Sequence, residues 1–590
     1  MLQYTSDLPI LAIPMKKKET NSVEFVVPHP TVEVHLPDGR AISAPRGTSI
    51  GAFLKLIDKE SPAPIVGAIV NGELRELTYP IKMEAKASPV TMSDADGARI
   101  YRRSLVFLLE TAFADSFPGA VLTVDHSVAS GGYYCQVSGR PPLTQDELAC
   151  LDTRMRQLVQ DDLPFKRTEV PLKEAMAYFA SVGARDKVQL LAHRHKDYLT
   201  LYQLENFRDY HHGYMLPSTG YLRWFTLIPT GEGFTMRFPR RHAPTEVLPL
   251  PEYPKLLVAF RQYGDWLQRL GISSVGALND AIQAGRSREV ILVSEALHEQ
   301  QVTEIAAQIA GRRDQVRVIF IAGPSSSGKT TFSRRLSVQL LARGVSPFPL
   351  EMDNYFVDRE LTPRDENGDL DFESVDALDR DRLSVDLRRL SAGELVQIPR
   401  YDFKTGSSAP GQEIQLKSDE IIILEGIHGL NPALGAGVPP ENTFRIYISA
   451  LTQINLDRQN RVSTTDTRLI RRIVRDARER GYTAQQTIQR WESVRRGEKR
   501  YIFPYQENAD VMFNSALVYE LSALKPLIEP LLRQVPFGKP EYVEAKRLLA
   551  FLEWFLPLDG DLIPDNSILR EFIGNSILRD FTLWHNHSET

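Results

Sequence analysis

The rhythm of apolar and polar residues changes several times along the chain, and each change predicts a different kind of element. From Thr31, the residues Val32, Val34 and Leu36 alternate with polar neighbours, the period-two pattern of a half-buried strand. Pro37-Asp38-Gly39 supplies turn chemistry, and 41–44 reads as the returning strand. Thr48 or Ser49 caps a short helix through Ile57. Residues 66–70 and 73–77 around Asn71-Gly72 form a second hairpin signal, and this small α+β unit ends near Met92.

Residues 93–245 read as a second α+β unit. The period becomes helical over 100–113 and again over 143–160, with strand-like runs at 132–137 and 221–228. The proline-rich stretch 239–254 marks a boundary, and 255–312 is mostly helical. From 316 to 535 continuous apolar runs at 316–322, 347–350, 421–424 and 444–448 alternate with helical patterns, as in a parallel sheet with helices on its faces. The expected organisation is multidomain: a lead-in at 1–27, α+β units at 28–92 and 93–245, a helical connector at 246–312, an α/β domain at 313–535 and helices over 536–590. The pentapeptide Asn-Ser-Ile-Leu-Arg occurs at 566–570 and 575–579, read as coincidence or a local helix pair.

Composition narrows the classes. The 590 residues fit about four domains, and 42% hydrophobic with 25% charged residues excludes a disordered or rod-like chain. A net charge of −5 argues against coating nucleic acid by bulk charge. Cys135 and Cys150 are too few for a disulfide framework or a cysteine-rich zinc site. The N-terminus is apolar first and basic second, opposite to a secretory signal, and no apolar run reaches the roughly 20 residues of a membrane helix. A cytoplasmic location without membrane contact is the expectation.

The chemistry concentrates after 316. Gly323-Pro324-Ser325-Ser326-Ser327-Gly328-Lys329-Thr330 matches G-x-x-x-x-G-K-[ST], lies between a buried strand and a helix pattern, and continues into Thr331. Glycines let backbone N–H groups curve around phosphates, and the helix N-terminus adds positive charge. Lys329 reaches the β- and γ-phosphates of ATP, and Thr330 offers a hydroxyl to Mg²⁺. Glu425, at the carboxyl end of a buried strand, is a second candidate magnesium ligand. Asp353 follows another strand and is a candidate general base for an attacking hydroxyl. Arg468, Arg471, Arg472 and Arg475 share one helical face, a candidate lid that clamps phosphates during transfer.

In this order the motifs over about 316–520 resemble the uridine kinase and phosphoribulokinase family of P-loop kinases. Asp353-Asn354-Tyr355-Phe356 is similar to a D-S-F-Y segment that carries the base. The family's F-D-H-P-D-A-F-D is similar to 372–379, P-x-Y-D-F to 399–403, F-E-G-I to 424–427, the lid motif to 468–481 and A-D-V to 509–511. The resemblance implies that Asp376 holds acceptor hydroxyls, that Tyr401 helps orient the acceptor, that Gln486 contacts a nucleoside, and that the chain assembles into a homo-oligomer. It implies a phosphotransferase acting on a small acceptor, uridine or cytidine in type. One departure bears on the acceptor: where nucleoside kinases carry H-S-R, this chain has Gly406, Ser407 and Ser408, so a non-nucleoside sugar or polyol is the alternative.

The front half has its own resemblance. Leu36-Pro37-Asp38-Gly39, Pro45-Arg46-Gly47-Thr48 and Val70-Asn71-Gly72 are similar to pieces of a TGS domain, and Gly132-Tyr133-Tyr134 with 209–220 resembles the editing domain of threonyl-tRNA synthetase. That domain hydrolyses with H-x-x-x-H plus Cys and His. By spacing these fall here on Phe107, Thr111, His211 and Met215, and Phe and Met neither shuttle protons nor bind a hard metal. A deacylating editor is therefore not expected. RNA remains a candidate partner through the TGS-like unit, which keeps an ATP-dependent RNA-binding or regulatory protein as the competing class.

Overall fold

The computed structural model describes residues 27, 29–128, 131–249, 253–366, 368–434 and 437–579. All but the last residue of the lead-in at 1–27 lies outside them. The first unit is a five-stranded sheet ordered Ala41–Pro45, Thr31–His35, Ala85–Thr91, Ile65–Val70, Glu73–Arg75. Val34 pairs with Ile42 across the antiparallel hairpin and with Ala85 in the parallel pair. Asn71 (φ 49°) and Gly72 (φ 81°) both take positive φ, the two-residue turn whose twist suits the flanking strands. The helix expected to reach Ile57 ends at Leu54, and Ser49 occupies its N-cap without a side-chain hydrogen bond. Phe53 and Leu54 are buried in the core with Val34 and Ala68, and Ile57 packs against the same core from the turn that follows.

In the second unit the helix Ala95–Ser116 and the helix Gln145–Gln160 pack on a four-stranded antiparallel sheet ordered Thr226–Thr230, Gly233–Arg237, Gly132–Ser138, Val121–Val128. Thr144 and Glu147 form a reciprocal capping box that starts the second helix. The strand expected over 221–228 begins only at Thr226. Ahead of it, Thr219 is buried and its hydroxyl donates to the Leu158 carbonyl, which holds 219–221 in a tight turn. A further sheet, Phe207–Asp209, Tyr198–Leu204, Lys166–Pro171, was not read from the pattern.

Three helices, Pro254–Leu270, Val275–Gln283 and Ser287–Ala310, lead into the α/β domain. Its sheet is wholly parallel, ordered Ser346–Glu351, Glu420–Glu425, Val318–Ala322, Thr443–Ser449, Val511–Asn514. All five residues of the central strand are buried, as expected where helices cover both faces. One apolar core runs from Ala175 and Phe179 through the connector helices to Ile568 and Phe572 near the C-terminus. The connector therefore packs as part of the α/β domain rather than as a linker. Lys187 joins the two halves through buried ion pairs with Asp209 (3.0 Å) and Asp457 (3.3 Å).

The repeated pentapeptides do not form a helix pair. Ile568 is fully buried, whereas Ile577 is 65% exposed, and the first copy leads into a short helix, Arg570–Ile573. Among the described residues no helix is long and apolar enough to cross a membrane.

Candidate active site

The P-loop is shaped by where its glycines stand. A Cβ on Gly323 would lie 2.0 Å from the Ile448 carbonyl oxygen, so only glycine fits there. Ser326 (φ 59°) and Gly328 (φ 87°) turn the loop back on itself before the helix Lys329–Leu341 begins. The hydroxyls of Ser326 and Ser327 are buried with no hydrogen-bond partner. Buried polar groups left unpaired are costly, and hydroxyls in a loop of this shape suit an anion.

Lys329 donates to the Pro324 carbonyl at 3.3 Å. Its charge reaches three carboxyls, lowering Asp353, Glu373 and Glu425 against the opposing effect of burial. Burial dominates at Glu425 and pushes it up to about 7. Thr330 Oγ1 donates to Glu425 Oε1 at 2.9 Å, so the two candidate magnesium ligands stand side by side. An all-oxygen pair of this kind suits Mg²⁺, which keeps most of its shell for water and phosphate. Asp353 is solvent-accessible in the cleft, and the surrounding protein still raises its carboxyl above the ordinary value.

The raised Glu425 yields a prediction with a definite sign. The folded state holds this proton more tightly than the unfolded chain, so stability from the protonated form is fully present below about 4.5 and is lost as pH rises to about 7. The melting temperature of Glu425→Gln relative to the unaltered chain should therefore climb across that window. Mg²⁺ with nucleotide should close the gap. A gap that does not change with pH would contradict the placement.

The arginine helix Thr464–Glu479 divides its labour. Arg468 pairs with Glu498 and donates to the Ser325 carbonyl at 3.1 Å; Arg471 pairs with Glu520 at 2.5 Å and caps the Ser515 carbonyl at 2.8 Å. Both are fully buried, so these two of the expected lid arginines brace the P-loop from behind. Arg475 is held by Asp476 at 2.9 Å. Arg472 donates to Ser325 Oγ at 2.6 Å and, with Arg480, lines a cavity of about 370 Å³ beside Phe372 and Phe403. Arg472 and Arg480 also pair with Asp476, at 3.4 and 3.7 Å, so the one carboxylate is shared among three arginines.

The expected acceptor residues are more scattered. Asp376 is exposed and pairs with Arg380 at 3.0 Å. Tyr401 is buried with its hydroxyl unpaired, its ring against Phe356 and Phe403. Gln486 is exposed and spends its amide on a capping box with Thr483. Two residues outside the expected set come in. Glu373, pushed up to about 7 by burial, sits where a Cβ on Gly497 would be 2.2 Å away, so that glycine makes its room. Arg359 occupies the space a side chain at 406 would need: a Cβ on Gly406 would lie 2.6 Å from its guanidinium. Glu373 falls inside the motif at 372–379, but nothing local marks Arg359.

The C-terminal segment reaches the same loop. Glu571 Oε2 accepts from the Thr331 backbone N–H (3.2 Å) and hydroxyl (3.0 Å), Ile568 packs over Gly328, and Phe572 lies under Arg471. A carboxylate at this helix N-terminus takes the place suited to a phosphate. Glu571→Gln should therefore tighten ATP binding by a few-fold to about tenfold, read by titration calorimetry. Unchanged affinity would mean that the carboxylate does not compete.

In the front half, Phe107 and Met215 are buried, and His211 faces Glu110 at 3.2 Å. Burial pushes His211 down to about 4 and Glu110 up to about 8, which leaves both neutral near pH 7. His126 stacks on Phe260, and His212 Nδ1 accepts from the Trp554 indole. Among the described residues no group of three His, Cys, Asp or Glu side chains could hold a metal ion.

Stretches of the chain are 32% identical over 196 residues to the threonine–tRNA ligases of Laribacter hongkongensis and Methylobacillus flagellatus, covering 33% of this chain and 31% of each ligase. The chain thus spans about a third of the length of the curated relatives it matches. Among solved structures, a putative fructose transport system kinase from Silicibacter sp. TM1040 aligns with 20% identity over 36% of this chain and 98% of its own, TM-score 0.27. A possible uridine kinase from Bacillus stearothermophilus aligns with 21% identity over 34% and 89%, TM-score 0.24. Residues 318–522 match the Phosphoribulokinase / Uridine kinase family model, and the P-loop, Asp353 and the arginine helix all lie inside that stretch.

Proposed function

We propose that this chain transfers the γ-phosphoryl group of ATP to a hydroxyl of a small acceptor. The observation that carries the reading is the P-loop with its two unpaired buried hydroxyls, set beside Glu425, Thr330 and Asp353. Asp353 takes the proton of the acceptor hydroxyl; that oxygen bonds to the γ-phosphorus as the bridging bond to the β-phosphate breaks, leaving ADP. Lys329, Arg472 and Arg480 neutralise charge on the transferring group. Mg²⁺, held by Thr330 and Glu425, would supply charge neutralisation on the β- and γ-phosphate oxygens.

A nucleoside of uridine or cytidine type is the acceptor the motifs suggest. A specific feature favours a second reading. The cavity beside the loop is lined by Arg359, Arg472, Arg480 and Arg490 against a single carboxylate, Asp476. With Gly406 in place of an imidazole and Arg359 filling its space, an acceptor that itself carries a carboxylate or phosphate suits the pocket better than a neutral one. ADP release screened over nucleosides, sugars and polyols, each beside its carboxylated or phosphorylated form, tests this. Arg359→Ala should raise KM for anionic acceptors at least tenfold and leave neutral ones unchanged. If no compound stimulates ADP release while labelled tRNA binds at low salt, the RNA-binding class replaces this reading.

A further inference from the structure

Away from the P-loop, a second cavity of about 680 Å³ opens between the second α+β unit and the kinase-like domain, a size usual for ligand sites. Its wall is lopsided in charge: ten Lys and Arg side chains face two carboxylates, Asp466 and Glu492. Part of that charge is met locally. Arg547 sits between Asp466 and Glu544, Arg241 meets Glu492, and Arg468 and Arg495 share Glu498. Arg102, Arg103, Arg461 and Lys499 have no carboxylate within ion-pair distance among the described residues. Arg102 and Arg103 donate to the carbonyls of Ala98 and Tyr214, and Arg461 to the Asp125 carbonyl and the Ser127 hydroxyl.

Arg102 opposes Arg461, and Arg103 and Lys499 are each opposed by other arginines of the same wall. Burial and the neighbouring Arg99 and Arg547 bring Arg103 down to about 10. Lys499, although solvent-accessible, is brought down to about 8 by enclosure and by Arg495 and Arg241. The N-terminal turn of the sixteen-residue arginine helix, from Ser463 to Asp466, opens into the same space and adds positive charge. Part of the remaining wall is aromatic. Tyr133 and Phe238 meet edge to face at 4.9 Å, with Arg461 over the Tyr133 ring and Arg102 over the Phe238 ring.

We infer that this cavity binds a small phosphate ester carrying a flat ring, of which a nucleoside monophosphate is the simplest kind. The phosphate would meet the charge that Arg102, Arg103, Arg461 and Lys499 leave without a carboxylate and sit at the helix N-terminus, and the ring would lie against Tyr133 and Phe238. The proposal is independent of the reaction at the P-loop. Because the helix that opens into the cavity also carries Arg468, Arg471 and Arg472 to the loop, an occupant is placed to change the rate there.

Titration calorimetry of the full chain carrying Lys329→Ala, which weakens nucleotide binding at the P-loop, tests the site with AMP, UMP and inorganic phosphate at low salt. The expected result is one monophosphate per chain, bound more tightly than inorganic phosphate and weakened tenfold or more by Arg102→Gln together with Lys499→Gln. Neither residue has a carboxylate partner to abandon, so the double variant should melt no lower than the parent. If it does melt lower, screening by added salt in the parent chain replaces it as the readout, and tightness must fall steeply. No monophosphate binding, binding indifferent to both the variant and salt, or affinity equal to that of inorganic phosphate would each overturn the proposal. Binding of tRNA without any binding of monophosphates would overturn it in favour of an RNA end.

Discussion

Asp353→Asn is expected to lower the turnover number by about 10²–10⁴-fold while ATP affinity stays within a few-fold. The amide keeps the shape of the carboxylate and removes its ability to accept a proton. Asp353 stands in the cleft under the influence of Lys329, Glu351 and Arg480, groups contributed by the P-loop, the neighbouring strand end and the arginine helix. It makes none of the loop's own packing contacts, so nucleotide binding should survive. Initial rates and equilibrium titration on the same preparation separate the two effects. A variant that loses ATP affinity in parallel with rate would move Asp353 from proton transfer to nucleotide binding.

Arg471→Met should be the most destabilising single change in the kinase-like domain. Arg471 and Glu520 are both almost fully buried, and removing one partner strands the other, at a cost of about 3–5 kcal/mol. Burial already raises Glu520 above its ordinary value, with Arg471 as the main opposing influence. Without Arg471 its folded-state value rises further. The native state then holds the proton more tightly than the unfolded chain, and stability is lost as pH rises above the ordinary carboxylate range. The deficit in the urea midpoint should therefore be smaller at pH 5 than at pH 8. The double variant Arg471→Met with Glu520→Leu should recover most of the loss. A deficit independent of pH and not recovered by the second change would show that packing, not the stranded charge, dominates.

Much of the catalytic end was legible because its signals are local. The P-loop needs a strand, a run of specific residues and a helix start within some twenty positions, and all three are contiguous here. The parallel strands were legible for a similar reason, since burial on both faces leaves continuous apolar runs. What was missed depends on partners far along the chain. Whether Arg468 and Arg471 face a phosphate or a buried carboxylate is decided by Glu498 and Glu520, 30 and 49 residues later. Glu571 reaches Thr331 across 240 residues, and Gly406 comes under Arg359 only because it lies in the turn of the hairpin formed by Val396–Asp402 and Ser407–Ile414. Gln486 shows the converse case: its residue type fits a binding role, but its position three after Thr483 makes it a cap.

The front half follows the same logic. Losing the imidazoles expected at 107, 111 and 215 was readable from residue types alone. The second cavity was not, because its charge comes from helices in both halves that only the fold brings together.

The most direct test of phosphoryl transfer is the fate of a labelled γ-phosphoryl group. ATP labelled there is incubated with the full chain, Mg²⁺ and pooled hydroxyl acceptors, and the products are separated by charge. The account predicts label in a phosphate ester of a small acceptor, abolished by Asp353→Asn. Label found only in inorganic phosphate with every acceptor, or transfer undiminished in that variant, would contradict it.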